Sequence, residues 1–121
     1  MSESLFFFDT YAFMEIIRGN PSYEKYKEVT VATTIFNLAE LNYALKKEMS
    51  KKSADEYIEK FRQFMIDVTL DDIKEAMDLK IKNRKLSIPD AIGYVVAKKL
   101  GAKFLTGDSD FKDMANVEFM K

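Results

Sequence analysis

Cysteine and histidine are both absent from the 121 residues of this chain. Without cysteine there are no disulfides, thiolate zinc sites or cysteine nucleophiles, and the composition suits a reducing compartment. Without histidine there is no Ser-His-Asp arrangement, no imidazole metal ligand and no imidazole general base. Any hydrolytic chemistry must therefore come from carboxylates, lysines, hydroxyl groups or a water molecule activated by a metal ion.

Long apolar runs and a strong excess of one charge are also missing. No run approaches the ~20 residues that a transmembrane helix needs, and no basic segment precedes an apolar stretch near the N-terminus. We therefore expect no membrane span, no signal peptide and a cytoplasmic location. The 19 basic and 20 acidic residues give a net charge of −1, which does not imply tight, sequence-independent binding to nucleic acid. The length and the hydrophobic fraction of 47% predict one globular domain over residues 1–121.

Strand-like and helix-like segments alternate along the chain. The continuous apolar run Leu5–Phe8 predicts a strand buried on both faces, and further strands are predicted at residues 29–34, 65–68, 102–106 and 117–120. Helices are predicted at residues 10–18, 35–49, 53–64, 69–86 and 87–100, with Ser53 and Thr69 as N-caps and Gly101 as a C-terminal stop. This alternation predicts an α/β fold, in which helices flank both faces of a small, mainly parallel central sheet.

Four acidic residues occupy positions that could converge on one end of such a sheet. Asp9 follows the first predicted strand and Asp108 follows the fourth, and ligands bind outside the carboxyl ends of parallel strands. Glu40 and Asp90 lie in helices that could bring them alongside. Glu40 has Phe36 and Ala44 one turn away on either side, and a carboxylate near such an apolar face needs a partner or a metal. Carboxylates without histidine or cysteine select a hard cation, Mg²⁺ or Mn²⁺.

Each acid also has a purely structural interpretation. Asp9 and Asp108 could cap the helices that follow them, and Asp90 suits the first turn of a helix because the helix dipole favours a negative charge there. Asp110 could be a turn residue, and Glu40 could lie on a narrow solvent-facing stripe of its helix together with Asn37 and Lys47. Taken together, these interpretations require several acids to reach the ligand-binding end of one sheet independently, and a cluster of carboxylates without a cation would repel itself.

Four segments, in order along nearly the whole chain, resemble the signature of PIN-domain nucleases, and most of all the small VapC-like toxins of prokaryotic toxin–antitoxin pairs. They are Phe8-Asp9-Thr10, the helix that carries Glu40, Pro89-Asp90-Ala91-Ile92, and the segment from Leu105 to Phe111. The stretch from Pro89 to Phe111 is the most specific of them. The resemblance implies a PIN-like domain that is a divalent-metal-dependent endoribonuclease, a hydrolase of RNA phosphodiester bonds, and the toxin of such a pair.

The resemblance also implies the site residues and the partners. The metal ligands and catalytic acids would be Asp9, Glu40, Asp90 and Asp108, with Asp110 as an accessory ligand and Thr10 and Thr106 as supporting hydroxyls. The implied cofactor is Mg²⁺ or Mn²⁺, and the implied partners are an RNA substrate, a small antitoxin protein and a second copy in a homodimer, with no membrane.

The charge balance agrees with a nuclease once the proposed metal ligands are set apart. Removing those four from the 20 acidic residues leaves 16 to oppose 19 basic ones, a net charge of +3. Candidate phosphate contacts are the paired or clustered basic residues at 46–47, 51–52, 80–85 and 98–99, although most could equally belong to solvated helix faces.

Two other interpretations are open at this point. Gly107-Asp108 with Asp113 resembles the late acidic motif of haloacid-dehalogenase-like phosphatases, with Asp9 as the nucleophile, but Tyr11 stands where that family needs a second acid. Alternatively, the domain could be a catalytically idle module that binds RNA or protein through its apolar, methionine-bearing helices. An idle module should lose one or more of the four acids, and this chain keeps all of them.

Overall fold

A sheet of four parallel strands forms the centre of the computed structural model, which describes residues 4–121. The strands are β1 (Leu5–Phe8), β2 (Thr30–Ala32), β3 (Lys103–Thr106) and β4 (Val117–Phe119), in the spatial order β2-β1-β3-β4. Phe7 of β1 is paired with Ala32 of β2 on one side and with Phe104 of β3 on the other. Because all the strands are parallel, their C-terminal ends meet at one side of the sheet, which we call the carboxyl edge.

Five α-helices connect the strands, and three of them begin at the carboxyl edge. They are α1 (Thr10–Arg18), α2 (Ile35–Lys46), α3 (Lys51–Phe61), α4 (Leu70–Lys82) and α5 (Ile88–Leu100), with 3₁₀ turns at Pro21–Tyr26, Arg62–Phe64 and Ser109–Phe111. Helices α1 and α2 follow β1 and β2 within two residues, so their N-termini lie at that edge. Helix α5 returns into β3 through Gly101 and Ala102, which places its C-terminus at the opposite edge and its N-terminus at the carboxyl edge. None of the helices in residues 4–121 is long and apolar enough to cross a bilayer.

The predicted three layers are confirmed by the two core clusters on the two faces of the sheet. Phe7 and Phe104 pack with residues of α4 and α5 on one face, while Phe8 and Leu105 pack with residues of α1, α2 and α3 on the other. Alternate residues of a strand point to opposite faces, so a run of apolar residues in β1 supplies both layers at once. The sheet is therefore buried on both faces, as the continuous run Leu5–Phe8 predicts.

Close packing of α5 on β1 depends on a glycine. A Cβ on Gly93 would lie 2.8 Å from Cε1 of Phe7 and 3.1 Å from Oδ1 of Asn37. The first distance is shorter than two carbon atoms tolerate without displacement. Gly93 thus allows α5 to approach both the sheet and α2, and this approach sets the position of the N-terminal turn of α5.

Two of the predicted local features are wrong. Residues 65–68 do not form a strand: Met65 makes an isolated bridge to Thr33, and the chain then turns into the N-cap of α4. Ser53 does not cap α3, because the helix begins earlier, with the Ser50 hydroxyl accepting a hydrogen bond from the backbone N–H of Ser53 at 3.1 Å. The N-cap at Thr69, which forms a capping box with Asp72, and the stop at Gly101 are confirmed.

Candidate active site

Asp9 lies at the centre of the carboxyl edge, directly after β1. Its side chain caps α1 by accepting a hydrogen bond from the backbone N–H of Ala12 at 2.9 Å, and the residue is only 2% exposed. Burial raises the pKa of Asp9 to about 8, and the charges of Asp90 and Asp108 add to the rise, against hydrogen bonds from the Thr106 hydroxyl and Ala12. Asp9 therefore both caps α1 and lies near Asp90 and Asp108. We call these three acids, together with Glu40, the acidic cluster.

Asp90 approaches the same cluster from the first turn of α5. It forms a capping box with Ser87, in which the Ser87 N–H donates to the Asp90 carboxylate at 3.2 Å and the Asp90 N–H donates to the Ser87 hydroxyl at 3.1 Å. Burial raises the pKa of Asp90 to about 6, and the charges of Glu40 and Asp108 add to the rise while the hydrogen bonds from Ser87 oppose it.

Glu40 projects from the second turn of α2 toward the N-termini of two other helices. The Thr10 hydroxyl donates to Oε1 of Glu40 at 2.7 Å, and the Ser87 hydroxyl donates to Oε2 at 3.4 Å. Glu40 is half-buried, and Asn37, one turn earlier on the helix, is completely buried. The alternative interpretation, in which Glu40 shares a solvent-facing stripe with its neighbours, is therefore wrong.

Asp108 completes the group from the end of β3. Its N–H donates to the Thr106 hydroxyl oxygen at 3.0 Å, and its carboxylate caps the following 3₁₀ turn by accepting from the N–H of Asp110 at 2.9 Å. The same Thr106 hydroxyl donates to Asp9, so it connects the two acids. Asp110 is half-buried in that 3₁₀ turn, and no hydrogen bond or ion pair within residues 4–121 ties its carboxylate to the other acids.

Gly107 allows the chain between β3 and Asp108 to pass close to Tyr11 and Met120. A Cβ at this position would collide with Cε1 and Cζ of the Tyr11 ring and with the carbonyl oxygen of Met120. Only hydrogen fits there, so the ring of Tyr11 rests directly against the backbone that carries Asp108.

The four acids have no basic counter-ion among residues 4–121. Every ion pair of the described residues involves other carboxylates, so no lysine or arginine there pairs with Asp9, Glu40, Asp90 or Asp108. As the side chains stand, no three acidic residues among 4–121 are grouped closely enough to hold a metal ion, and each of the four accepts hydrogen bonds from the protein. The donor chemistry nevertheless fits a hard cation, because four uncompensated carboxylates, two of them with raised pKa values, are what such a cation stabilises.

Several side chains of this site carry no strong signal in the sequence. Ser87 is recognisable as a helix start, but its contact with Glu40 joins residues 47 positions apart. Asn37 is buried, with its Oδ1 accepting from the Thr34 hydroxyl at 2.7 Å and its Nδ2 without a partner among the described residues. Neither position matches a spacing pattern that would single it out in one sequence.

The protein is thus a small parallel α/β domain with an acidic cluster at the carboxyl edge of its sheet. The chain belongs to the PIN domain family, whose model matches residues 6–117. This membership favours the PIN resemblance over the haloacid-dehalogenase one. No curated protein matches the chain significantly by sequence.

Solved structures with the same fold include three bacterial proteins. The chain is similar to the sarcin–ricin-loop-cleaving toxin VapC20 of Mycobacterium tuberculosis, with a TM-score of 0.81, 21% identity, and coverage of 98% of this chain and 100% of that one. A toxin–antitoxin complex from Klebsiella pneumoniae gives a TM-score of 0.73 at 20% identity, covering 93% and 95%. VapBC2 of Rickettsia felis, bound to a DNA fragment from its promoter, gives 0.70 at 20% identity, covering 96% and 97%. At these identities the likeness establishes the fold.

Proposed function

We propose that this chain is a divalent-metal-dependent endoribonuclease, that it is the toxin of a toxin–antitoxin pair, and that it acts in the cytoplasm. The observation that carries the proposal is the group of four acids at the carboxyl edge with no basic partner among the described residues. Such a group repels itself and would also repel an RNA phosphate, and a divalent cation removes both difficulties.

The proposed site gives each of its residues a distinct role. Asp9, Glu40, Asp90 and Asp108 would hold Mg²⁺ or Mn²⁺, and Asp110 would serve as an accessory ligand. The cation, when bound, lowers the pKa of a water molecule and neutralises the charge that develops on the phosphate. The Thr10 hydroxyl fixes the orientation of Glu40 at 2.7 Å, and the Thr106 hydroxyl holds Asp9 next to Asp108. No histidine is needed in such a site.

Among the basic residues, Arg84 and Lys85 are the ones we propose as phosphate contacts. Lys98 and Lys99 lie at the C-terminus of α5, on the opposite edge of the sheet, and Lys46 pairs with Asp55 at 3.0 Å. Arg84 and Lys85 are exposed, form no ion pair among the described residues, and lead directly into the Ser87 cap at the acidic cluster. They could therefore meet an RNA backbone without first breaking an ion pair.

The proposed protein partners are a small antitoxin and a second copy of this chain. Support comes from the fold likeness to members of toxin–antitoxin complexes. Light scattering of the purified chain tests the homodimer, and a monomer at micromolar concentration would contradict it. Copurification with the product of an adjacent small gene tests the antitoxin.

Cleavage of a mixed structured RNA pool tests the enzymatic proposal. The purified protein should cut RNA in Mg²⁺ or Mn²⁺ and should stop when EDTA is added. Asp90→Asn should reduce cutting by about 100-fold or more, because the substitution removes a charged ligand of the cation. The matched control is Asp113→Asn, which removes an exposed acid that forms no ion pair in residues 4–121 and should leave cutting unchanged.

Two results would contradict the nuclease. One is RNA cutting that survives EDTA or Asp90→Asn, since it would have another origin. The other is a folded, metal-bound protein that binds RNA and does not cut it, which would favour the binding module.

A further inference from the structure

The hydroxyl of Tyr11, beside the acidic cluster, donates no hydrogen bond to any residue that the structure describes. The three fully buried tyrosines have hydrogen-bond partners: Tyr23 donates to the Met120 carbonyl at 2.5 Å, Tyr26 to the Glu118 carboxylate at 2.6 Å, and Tyr94 to the Ala115 carbonyl. Tyr11 is half-buried, yet its hydroxyl makes no hydrogen bond to any of residues 4–121. The hydroxyl of this half-buried phenol is therefore available to a ligand at the site.

Packing fixes where this hydroxyl lies. Cε1 and Cζ of the Tyr11 ring occupy the space that a side chain on Gly107 would need. Because the hydroxyl oxygen is bonded to Cζ, it lies beside Gly107, one residue before Asp108. Burial raises the pKa of Tyr11, and the charges of Glu15, Asp9 and Asp108 add to the rise, which agrees with a location between α1 and the end of β3.

The neighbouring carboxylates do not use this donor. Asp9 accepts from Ala12 and Thr106, and Asp108 accepts from Asp110. A phenol keeps its proton at neutral pH, so the group is available as a donor to an incoming anion. A phosphodiester seated on the acidic cluster presents anionic non-bridging oxygens, which are strong acceptors.

We propose that Tyr11 contacts the substrate directly: its hydroxyl donates a hydrogen bond to a non-bridging phosphate oxygen of an RNA strand at the carboxyl edge. The inference rests on the proposed function, because it takes RNA as the ligand of this edge. It adds a substrate-orienting donor to the four acids and two threonines. Gly107 serves this role indirectly, since only a residue without a side chain leaves room for the ring.

The test removes the hydroxyl and keeps the ring. Tyr11→Phe preserves the packing against Gly107, so a purely structural role of Tyr11 predicts no change. Binding is measured by fluorescence anisotropy with a short fluorescein-labelled single-stranded RNA in Mg²⁺. The comparison is between the Asp90→Asn protein, in which cleavage is suppressed, and the double variant that carries both Asp90→Asn and Tyr11→Phe. We expect the affinity to fall about tenfold or more, as for the removal of a hydrogen bond to a charged acceptor.

The matched control is Tyr57→Phe, which deletes the same atom from another half-buried tyrosine, on α3. It should leave the affinity unchanged, and neither substitution should shift the thermal midpoint. In the protein with Asp90 intact, Tyr11→Phe should lower kcat/KM for RNA by at least the same factor.

Equal RNA affinities with and without the Tyr11 hydroxyl would overturn the proposal, and so would an unchanged kcat/KM for RNA when Tyr11→Phe is made in the protein with Asp90 intact. The nuclease proposal is tested separately from the Tyr11 proposal. If the wild-type protein cuts no RNA while Tyr11→Phe still weakens binding, the nuclease proposal fails and the Tyr11 hydrogen bond stands. If the wild-type protein cuts RNA and Tyr11→Phe changes neither binding nor cutting, the Tyr11 hydrogen bond alone fails.

Discussion

At the scale of single residues, Asp9 connects the chemistry of the site with the stability of the fold. Its carboxylate is buried against two other acids, so the native state binds a proton there more tightly than the unfolded chain does. The folded pKa of about 8 lies above the ordinary value of 3.8. The associated stability is fully present below pH 3.8 and is lost as the pH rises through about 8. Asp90, with a folded pKa of about 6, contributes in the same direction over the lower part of that range.

The metal-free protein should therefore lose stability as the pH rises. In EDTA, its free energy of unfolding should be lower at about pH 8 than at about pH 5, and Asp9→Asn should remove much of this difference. At the higher pH the substitution should stabilise the protein by on the order of 1–3 kcal/mol, because a neutral amide replaces a buried, repelled charge. Urea unfolding at the two pH values measures this. Asp113→Asn serves as the control, and a destabilised Asp9→Asn protein at the higher pH would contradict the prediction.

Residue type and position were enough to predict the four acids as candidate site residues. The sequence could not distinguish their role as helix or turn caps from a chemical role in the site. Asp9, Asp90 and Asp108 all turn out to cap helices or turns, as the structural interpretations require. Burial, with the charges of the neighbouring acids, also raises the pKa values of Asp9 and Asp90. A capping aspartate at the end of a parallel strand is placed at the carboxyl edge by the cap itself, so the two roles are compatible.

At the scale of secondary-structure elements, the approach of α5 to the sheet controls where Asp90 lies. Gly93→Ala should destabilise the protein by about 1–3 kcal/mol, because the added Cβ would overlap with the Phe7 ring. In a helix free of this overlap, alanine would instead be favoured over glycine by about 1 kcal/mol. The sign of the change in the free energy of unfolding, measured by urea titration, is therefore diagnostic. A stabilised Gly93→Ala protein would show that α5 sits farther from β1.

The segment between α4 and α5 gives a second prediction at this scale. Replacing Arg84 and Lys85 together by alanine should weaken RNA binding and lower the dependence of log affinity on log salt concentration by about 0.7 for each phosphate that the pair neutralises. Lys98 and Lys103, exposed at the opposite edge of the sheet, are a charge-matched control pair. Titration at several salt concentrations measures both quantities. An equal effect of the two pairs would mean that the RNA does not follow this segment.

Element boundaries show where sequence reasoning is weakest. The apolar residues 65–68 carry the composition of a strand, but the 3₁₀ turn before them and the cap of α4 after them leave room for a single bridge to Thr33. Ser50 and Ser53 are both acceptable caps by residue type, and the tertiary position of α3 selects Ser50. By contrast, β1 and α1 were predictable, because an unbroken apolar run and a glycine stop leave no competing arrangement.

At the scale of the whole molecule, cation binding should couple to folding. Mg²⁺ or Mn²⁺ that binds only the native state stabilises it by about 2.7 kcal/mol at a concentration ~100 times Kd. We therefore expect either ion to raise the thermal midpoint of the wild-type protein at about pH 8, and to raise that of Asp9→Asn much less. Differential scanning calorimetry with and without the ion measures this. An equal shift in both proteins would place the cation away from Asp9.

The layered parallel architecture was predictable from the alternation of strands and helices, but the strand order β2-β1-β3-β4 was not. Neighbouring strands are chosen by contacts between residues far apart in sequence, such as Phe7 with Phe104. The burial of Asp9 and the free hydroxyl of Tyr11 depend on the same long-range packing. A single sequence reports the residues available to the site more reliably than the environment each one meets.

The two outer strands are short, and this brevity bears on how the protein behaves when it is abundant. β2 and β4 each contain three residues, and beyond β2 the next position, Thr33, is already bonded to the backbone of Phe64 and Ile66. An unpaired strand edge is a template on which further chains can add, and natural proteins suppress this by keeping such edges short or covered. Despite its strongly apolar sheet, the folded protein thus offers little surface for fibre growth, and we expect concentrated solutions of it to resist self-templated aggregation.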